Sequence, residues 1–280
     1  MQQTIQDFII QALAEDIGDG DHSALCCIHK NKRGKARLHI KDNGILAGVK
    51  LSTCILLHLD PSFEIHWYKL DGEPVTKGEI GMDVEGSIHN ILKAERLLLN
   101  CMQRMSGIAT LTMHYVIKIK DLPVKIVDTR KTSPNFRFFE KWAVRLGGGH
   151  NHRFGLYDMI MLKDNHVDYA GGINNAITLA NEYRNLYNPG LKIEIETRNI
   201  AEVQQVLDAG NIDRIMLDNY SVSEMKSAIQ LIANQYETEA SGGITLDTVR
   251  AYAETGVDII SIGALTHSYK SMDLSLKASV

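Results

Sequence analysis

A repeated alternation of short apolar runs with helical stretches after residue 121 is the feature that most limits how this chain can fold. The predicted strands are Val124–Asp128, Asp158–Lys163, Lys192–Glu196, Arg214–Asp218, Thr238–Ser241 and Ile259–Gly263. The predicted helices are Ala170–Tyr187, Ile200–Ala209, Ser221–Gln235 and Leu246–Thr255. Strands that alternate with helices form parallel sheets. Six such strands favour a closed or nearly closed α/β barrel, with a doubly wound open sheet as the alternative.

The first hundred residues follow a different pattern. Residues 4–15 have the apolar spacing of an amphipathic helix, whereas Ala36–Ile40 and Phe63–Trp67 alternate as strands do. A long helix, Ala94–Thr110, follows and carries Arg96. This mixture predicts a separate α+β unit. We therefore predict an N-terminal domain over residues 1–108 and a barrel domain over residues 109–266, with the tail 267–280 packing back on the first.

Composition excludes several classes of protein. The chain has 280 residues and a formal net charge of -4, whereas nucleic-acid-binding proteins are usually basic. Its four cysteines form no CxxC pair, which is typical of reduced thiols in a cytosolic protein. The N-terminus lacks the basic start and apolar run of a signal peptide. No apolar segment approaches the ~20 residues of a membrane span. We expect a cytoplasmic protein that binds neither nucleic acid nor membrane.

Each predicted barrel strand ends in a polar residue or a glycine. The carboxyl ends of barrel strands meet at one mouth, so these residues should surround one site. The strand ends are Asp128 with Arg130 and Lys131, Lys163, Glu194 with Glu196, Asp218, Ser241-Gly242-Gly243, and Gly263-Ala264. Glycine loops after the last two strands suit a phosphate, because the backbone N–H groups can approach it closely.

The cations at this mouth differ in what they can bind. Arginine forms two-pronged contacts with carboxylates, so Arg130, Arg153 and Arg96 suit a ligand with several carboxylates. Lys131 and Lys163 are point charges, better suited to a phosphate or a developing anion. Two carboxylates, Glu196 and Asp218, lie among these cations. They would hold a hydrated magnesium ion or stabilise positive charge on a sugar ring, and a structural ion pair is the alternative.

Another candidate in the same region is the run His150-Asn151-His152, which resembles a zinc-binding pair of histidines. No further cysteine or histidine cluster lies near it in the sequence. The preceding Gly147-Gly148-Gly149 indicates a loop that folds close to a ligand. We therefore favour a hydrogen-bonding role for His152 over metal binding.

An ordered set of motifs from about residue 7 to about residue 268 resembles the quinolinate phosphoribosyltransferase family. These motifs are Glu15-Asp16-Ile17-Gly18, Glu95-Arg96 with Leu98 and Asn100, Ser106-Gly107-Ile108-Ala109-Thr110, Asp128-Thr129-Arg130-Lys131-Thr132, Gly147-Gly148-Gly149-His150-Asn151-His152-Arg153, Lys163-Asp164-Asn165-His166, Leu217-Asp218-Asn219 and Ser241-Gly242-Gly243. The resemblance implies an N-terminal α/β sandwich and a C-terminal α/β barrel of about six strands. It also implies that quinolinate and 5-phosphoribosyl diphosphate, with Mg²⁺, give nicotinate mononucleotide, pyrophosphate and CO₂ on the de novo route to NAD.

The resemblance also implies roles for individual residues. Quinolinate contacts fall on Arg130, His152, Arg153 and Lys163, with Arg96 reaching in from the partner in a homodimer. A hexamer is an alternative assembly that the resemblance leaves open. Lys131 corresponds to a position between the two substrates. The acids near the ribose and the metal correspond to Glu196 and Asp218, although Glu194 lies in the same short motif and could take the place of Glu196. The phosphate loops correspond to Ser241, Gly242, Gly243, Gly263 and Ala264.

One segment departs from the family pattern. Ser133-Pro134-Asn135-Phe136-Arg137 stands where a Thr-Pro-Gly-Leu-Arg run is common, and we expect altered packing there with the chemistry retained. Two other functions fit the same residues. One is a related phosphoribosyltransferase that acts on another pyridine acid without decarboxylation. The other is a barrel that binds a phosphorylated metabolite without catalysis.

Overall fold

The computed structural model describes residues 2–279. Its helices and strands, in chain order, are α1 (Gln2–Ile17), α2 (His22–Cys27), β1 (Arg33–Ile40), β2 (Gly44–Ile45), α3 (Val49–Leu59), β3 (Glu64–Trp67), β4 (Pro74–Val75), β5 (Ile80–Ser87), α4 (Ile88–Lys118), β6 (Lys125–Val127), α5 (Arg137–Leu146), β7 (Ile160–Leu162), α6 (Asp164–Ala170), α7 (Ile173–Tyr187), β8 (Ile193–Thr197), α8 (Ile200–Ala209), β9 (Arg214–Asp218), α9 (Val222–Ile232), β10 (Glu237–Ser241), α10 (Val249–Ala253), β11 (Ile259–Ser261), α11 (Ala264–His267) and β12 (Leu274–Ser279). Among the described helices, none combines the length and the apolar character needed to cross a membrane.

The chain divides into two compact units. The first comprises Met1–Met113, Ser133–Gly148 and Ser268–Val280, and the second comprises His114–Thr132 and Gly149–His267. The predicted boundary at residue 108 thus falls five residues before the first break in this division. Residues 133–148, which the sequence placed in the barrel domain, group with the first unit.

A four-stranded antiparallel sheet, in the order β12-β1-β5-β3, forms the centre of the first unit within the described residues. β12 runs antiparallel to β1, with Ile40 opposite Leu274. The C-terminal tail is therefore an edge strand of this sheet. Alternate residues of β1 (Ala36, Leu38 and Ile40) are buried, as the period of two predicts.

Segment 133–148 is held in the first unit by a buried carboxylate and an aromatic cluster. Glu140 on α5 is fully buried and accepts hydrogen bonds from Arg104 Nε at 2.8 Å and the Ser133 backbone N–H at 3.1 Å. Phe136 packs against Phe8 and Phe139, with ring centroids 5.4 and 4.9 Å away. The divergent Ser133–Arg137 run thus supplies both a hydrogen-bond partner and an aromatic ring to this unit.

A six-stranded parallel sheet, in the order β6-β11-β10-β9-β8-β7, forms the second unit within the described residues. The strands from β7 to β11 are neighbours in chain order, and the last strand returns to pair with the first, with Ile260 opposite Ile126. A doubly wound sheet would reverse its strand order partway across. At the remaining seam, His150 forms a single parallel bridge with Val127 of β6. The arrangement is that of a barrel.

Strand β8 of the barrel has an apolar outer side and a polar inner side. On β8, Ile193 and Ile195 are fully buried, and they alternate with Glu194 and Glu196. Successive residues of a strand point to opposite faces, so the two glutamates share the inner face. This alternation directs charged side chains into the barrel.

Candidate active site

A cavity of about 770 Å³ opens at the carboxyl ends of the barrel strands. The residues that line it are Tyr115, Thr129, Arg130, Lys131, His152, Arg153, Met161, Lys163, Glu196, Met216, Asp218, Asn219, Glu239, Ser241, Gly242, Gly243, Ile244, Thr245, Ser261, Ile262, Gly263, Ala264 and His267. Lysine and arginine side chains outnumber carboxylates in this wall, with Arg130, Lys131, Arg153 and Lys163 against Glu196, Asp218 and Glu239. The local positive charge predicted from the sequence is present although the chain as a whole is acidic.

The segment after β6 brings an arginine and a lysine side by side onto the wall. The Thr132 N–H donates to the Arg130 carbonyl at 2.8 Å, and the Lys131 N–H donates to Thr129 Oγ1 at 3.1 Å. The Lys131 carbonyl in turn accepts a hydrogen bond from Thr266 Oγ1 at 2.9 Å. These backbone contacts hold the turn in place. The side chains of Arg130 and Lys131 are not needed to order the turn, so they can project into the cavity.

A second pair of cavity residues comes from the loop after residue 149. The His152 backbone N–H donates to Oδ1 of the buried Asp128 at 2.9 Å, which ties the loop to the end of β6. Arg153 Nη1 donates to the Met159 carbonyl at 3.1 Å. Burial, followed by the nearby charge of Arg130, lowers the pKa of the Arg153 guanidinium. Two arginines close enough to repel each other are suited to an anionic ligand that offers more than one carboxylate.

An ion pair joins the next two strands. Lys163 Nζ is paired with Glu196 Oε2, and the lysine side chain is much more exposed than the carboxylate. The Lys163 backbone N–H donates to His166 Nδ1 at 3.0 Å at the start of α6. The lysine ammonium therefore has one fixed partner and a face that remains open to the cavity.

The glycine loop after β10 meets Asp218 and Asn219 at the end of β9. Ser241 lies opposite Asp218 in the register, and the Asn219 N–H donates to the Ser241 carbonyl at 2.9 Å. Gly242 has φ +97°, and a Cβ there would lie 2.7 Å from the Asn219 backbone nitrogen as well as overlapping the Asn219 amide group. A side chain is excluded at Gly242 on both counts. The backbone can therefore approach a bound phosphate closely at this loop.

At the floor of the cavity lies a buried cluster of charged groups, of which His152 and Glu239 reach the lining. His152 Nε2 lies 3.0 Å from Glu239 Oε2 and 3.1 Å from Glu194 Oε2. Arg214 Nη1 lies 2.9 Å from the same Glu239 oxygen. Burial favours neutral histidine, but hydrogen bonds and charge from the two glutamates outweigh it and raise the pKa of His152 to about 9.

The two buried glutamates differ in their tendency to ionise. Burial, and then the charge of Glu239, raises the pKa of Glu194. Burial would also raise the pKa of Glu239, but hydrogen bonds from His152 and Ser261 together with the charges of His152 and Arg214 lower it. Glu239 is therefore the more readily ionised carboxyl of the two, and Glu194 takes up a proton more readily.

Most of the predicted site residues meet at this cavity. Those on its wall are Arg130, Lys131, His152, Arg153, Lys163, Glu196, Asp218, Ser241, Gly242, Gly243, Gly263 and Ala264. Glu194 is not among them, because it lies beneath His152 and is fully buried. Arg96 is exposed on α4 in the first unit and is also outside the lining. The placement separates Glu196, which faces the cavity, from Glu194, which does not.

Sequence reasoning missed Glu239, Arg214 and Ser261. A signal for Glu239 was available, since Glu237, Glu239 and Ser241 repeat the period of two seen at Glu194 and Glu196. The predicted strand began at Thr238 and so omitted the first member of that series. Arg214 opens a predicted strand, and only the register, which places it opposite Glu194 and Glu237, shows that it points into the barrel.

Comparisons with known proteins agree with this geometry. Residues 21–106 match the quinolinate phosphoribosyl transferase N-terminal domain, and residues 108–277 match the C-terminal domain of the same family. The chain belongs to the quinolinate phosphoribosyl transferase family. A chloroplastic nicotinate-nucleotide pyrophosphorylase [carboxylating] of Arabidopsis thaliana is 46% identical over 95% of this chain and 80% of its own length. A probable enzyme of the same name from Synechocystis is 43% identical over 98% of this chain and 92% of its own length.

Solved structures show the same fold. NadC from Streptococcus pyogenes superposes with a TM-score of 0.93 at 37% identity, covering 100% of this chain and 99% of that one. The prediction of an N-terminal α/β domain followed by a barrel of six parallel strands is confirmed, as is the resemblance to the quinolinate phosphoribosyltransferases.

Proposed function

We propose that this chain catalyses the quinolinate phosphoribosyltransferase reaction at the mouth of its barrel. The ring nitrogen of quinolinate attacks the anomeric carbon of 5-phosphoribosyl diphosphate, and the bond from that carbon to the diphosphate breaks. The adjacent carboxylate then leaves as CO₂, its electron pair stays on the ring carbon, and a proton replaces it. The products are nicotinate mononucleotide, pyrophosphate and CO₂, on the route to NAD.

One observation carries this proposal: an arginine-containing wall suited to a dicarboxylate and a glycine loop suited to a phosphate face the same cavity. Arg130, Arg153 and His152 form the first, which we call the dicarboxylate wall, and the loop around Gly242 belongs to the second, the phosphate wall. Lys131 stands next to Arg130 and would stabilise the leaving diphosphate. Glycosyl transfer through a cation-like state needs no protein nucleophile, so positioning and electrostatics can supply the catalysis. Glu196 and Asp218 would supply negative charge near the reacting sugar.

The acids also suit an indirect role in binding Mg²⁺. This cation prefers oxygen ligands and keeps several waters when it is bound with phosphates. Glu196 is already paired with Lys163, and Asp218 Oδ2 accepts a hydrogen bond from Asn219 at 2.6 Å. Two such carboxylates fit water-mediated contacts better than a closed cage. When bound with the diphosphate, Mg²⁺ would neutralise charge on the leaving group, while Glu196 and Asp218 orient its water shell.

The position of Arg96 supports a homodimer with shared sites. Its side chain is exposed on α4, and it is outside the cavity lining of its own barrel. A third arginine for the dicarboxylate would then come from the partner subunit. The cytoplasm is the compartment we propose, because the four cysteines of the described chain are free thiols, as expected in a reducing environment.

A single assay tests the reaction and its alternatives. Purified protein is mixed with Mg²⁺, 5-phosphoribosyl diphosphate and either quinolinate or nicotinate, and nicotinate mononucleotide and CO₂ are measured. Product and CO₂ from quinolinate alone are expected. Turnover of nicotinate without CO₂ would establish a related transferase instead. Binding of either substrate without product would establish a binding barrel.

A further inference from the structure

The cluster beneath the cavity contains a group that the reaction does not use directly. Arg214 opens β9 and does not line the cavity, yet its side chain is only 11% exposed. Its Nε and Nη2 atoms donate to Glu237 Oε2 at 2.9 and 2.7 Å, and its Nη1 atom donates to Glu239 Oε2 at 2.9 Å. A guanidinium held by two carboxylates is fixed in direction, so it can in turn fix the carboxylates that it touches.

The arginine occupies the place that a metal ion would need. His152, Glu194 and Glu239 each contribute one possible ligand atom. These three atoms lie within 4.8 Å of one another, a spacing that could hold a cation. Arg214 Nη1, however, lies 3.5 Å from Glu194 Oε2 and 3.2 Å from His152 Nε2. A positive group of the chain already stands among these atoms. It compensates the buried negative charge, which would otherwise be strongly unfavourable away from water.

Glu239 transmits this arrangement to His152. The same Glu239 oxygen, Oε2, accepts from Arg214 and lies 3.0 Å from His152 Nε2. On the other side of the ring, the Arg153 backbone N–H donates to His152 Nδ1 at 2.6 Å. These two contacts fix the orientation of the ring and, when the ring is neutral, favour the tautomer with the proton on Nε2. Because the Arg153 contact needs a lone pair on Nδ1, it opposes the rise in the pKa of His152 that the carboxylates cause.

Charged groups from three strands lie close to His152 Nε2: Glu194 of β8 at 3.1 Å, Arg214 of β9 at 3.2 Å and Glu239 of β10 at 3.0 Å. Glu237 of β10 pairs with Arg214. On the cavity side, Asp128 accepts from the His152 backbone N–H, and the charged or titratable residues that line the same cavity are Arg130, Lys131, Arg153, Lys163, Glu196, Asp218 and His267. The cations on the cavity side would be neutralised by an incoming dicarboxylate. Arg214 Nη1 lies 3.5 Å from Glu194 Oε2 and 2.9 Å from Glu239 Oε2, so its loss would alter the charge balance of both carboxylates.

We propose that Arg214 is a positioning residue for the dicarboxylate subsite, holding Glu239 and, through it, the ring of His152 in the orientation that faces the ligand. This inference rests on the proposed function, because quinolinate is the ligand it positions for. Arg214 acts through two intermediaries and touches neither substrate. Its replacement should therefore weaken quinolinate binding selectively and leave the phosphate wall intact.

Steady-state kinetics of three variants test the proposal. Arg214→Met removes the charge and the fork, Arg214→Lys keeps the charge alone, and Glu237→Gln weakens the lower anchor. Losing one charge-assisted hydrogen bond corresponds to roughly tenfold or more in affinity, so Arg214→Met should raise KM for quinolinate by about that factor. KM for 5-phosphoribosyl diphosphate should not change. Arg214→Lys should lie between the wild type and Arg214→Met.

Arg184→Met is the matched control. Arg184 lies on α7 and pairs with Asp213, the residue before Arg214, with Nη1 to Oδ2 at 3.1 Å. It lies outside the cavity lining, so its replacement removes an arginine ion pair of the same unit without touching the cluster. Both KM values should stay at their wild-type levels. A folded Arg214→Met protein with an unchanged quinolinate KM, or with both KM values raised alike, would overturn the inference.

A spectroscopic readout gives an answer without turnover. Nuclear magnetic resonance of ¹⁵N-labelled histidine rings is recorded above about pH 9.5, where the His152 ring is neutral, with the His152 signal identified by its loss in His152→Gln. It should show the proton on Nε2 in the wild type. In Arg214→Met the His152 signal should change, whereas in Arg184→Met it should not. An unaltered His152 signal in Arg214→Met would also overturn the inference.

Two further outcomes are a variant that does not fold and a wild type that does not turn over quinolinate. If Arg214→Met does not fold, Arg214→Lys, which keeps the charge that compensates the buried Glu239, takes its place in the test. Arg214→Lys should show a smaller but equally selective rise in quinolinate KM, and an unchanged KM there would overturn the inference. A wild type that does not turn over quinolinate contradicts the proposed function itself, whereas wild-type turnover with unaffected variants contradicts only the role of Arg214.

Discussion

At the scale of single residues, burial and neighbours distinguish groups that look alike in the sequence. Glu194 and Glu196 are two positions apart and share one face of β8, but Glu196 pairs with Lys163 at the cavity and Glu194 lies under His152. His150 and His152 are likewise two apart, and only His152 is on the cavity wall. The sequence could place these residues on one strand or loop. The depth of each in the barrel depends on the tilt and register of neighbouring strands.

Arg153 should matter for one substrate much more than for the other. If Arg153 makes the proposed two-pronged carboxylate contact, worth roughly 1.5–3 kcal/mol, Arg153→Ala should raise KM for quinolinate by about tenfold to a hundredfold. Arg198→Ala is the control, because Arg198 makes exposed ion pairs with Glu202 and Asp168. The prediction is tested by measuring initial rates while the concentration of each substrate is varied in turn. Near-normal quinolinate kinetics in Arg153→Ala would remove this residue from the dicarboxylate wall.

His152 should make stability depend on pH. Its folded-state pKa of about 9 lies above the usual 6.5, so its contribution is fully present below pH 6.5 and is lost as the pH rises through about 9. A shift of this size corresponds to at most roughly 3 kcal/mol. Urea unfolding of the wild type and His152→Gln should therefore differ most near pH 6 and least near pH 9.5. His150→Gln, an exposed histidine outside the cluster, is the control. A difference that grows with pH would contradict the ion-paired state of His152.

At the scale of elements, strands were easier to predict than their connections. All six barrel strands lie within two residues of their predicted ends, because short apolar or alternating runs between helical stretches mark them in the sequence. The helix Arg137–Leu146 was not predicted, and the helix predicted over Ala94–Thr110 extends over Ile88–Lys118. Helix α5 depends on Glu140, Phe136 and Phe139, whose partners Arg104 and Phe8 are distant in the chain. The sequence pattern around residues 137–146 gives no information about these distant partners, so the helix could not be predicted from it.

The loop after β10 offers a test of how closely the backbone must pack. Gly242→Ala places a methyl group on the Asn219 backbone and amide at φ +97°, whereas a methyl group at Gly243, with φ +59°, meets nothing within 4 Å. Both substitutions carry the left-handed backbone penalty of about 1–2 kcal/mol, and only the first adds a steric clash. We expect Gly242→Ala to lose more stability in chemical unfolding and to raise KM for 5-phosphoribosyl diphosphate more than Gly243→Ala. Equal effects would show that the close approach to Asn219 is unimportant.

At the scale of the whole molecule, the chain forms two units that interleave in sequence. Segment 133–148 leaves the barrel unit and joins the first unit, and the tail from Ser268 does the same. Composition changes little along the chain, so no linker marks these crossings. The contacts of buried groups such as Glu140, and the pairing of β12 with β1, decide to which unit each segment belongs.

Sites shared across a dimer predict recovery of activity by mixing. Arg96→Ala and Lys131→Ala proteins should each be inactive. In a hybrid dimer, one site would have an intact Lys131 together with Arg96 of the other subunit. Random exchange of equal amounts should restore about a quarter of the wild-type activity, since half of the dimers would be hybrids with one complete site each. Mixing two differently tagged Lys131→Ala proteins controls for exchange without complementation. Confirmed exchange without recovery would contradict a shared site.

The alternation of strands and helices, the polar ends of the strands and the ordered motifs of the family could all be predicted from the sequence. These are local patterns, and they can be recognised because a strand or a helix shows its own period of burial. Three features emerged only once the chain was folded: which glutamate faces the cavity, to which unit residues 133–148 belong, and the entry of Arg214 into the barrel beside Glu239. These features depend on register and on contacts between distant residues, which bring charges together inside a space that excludes water.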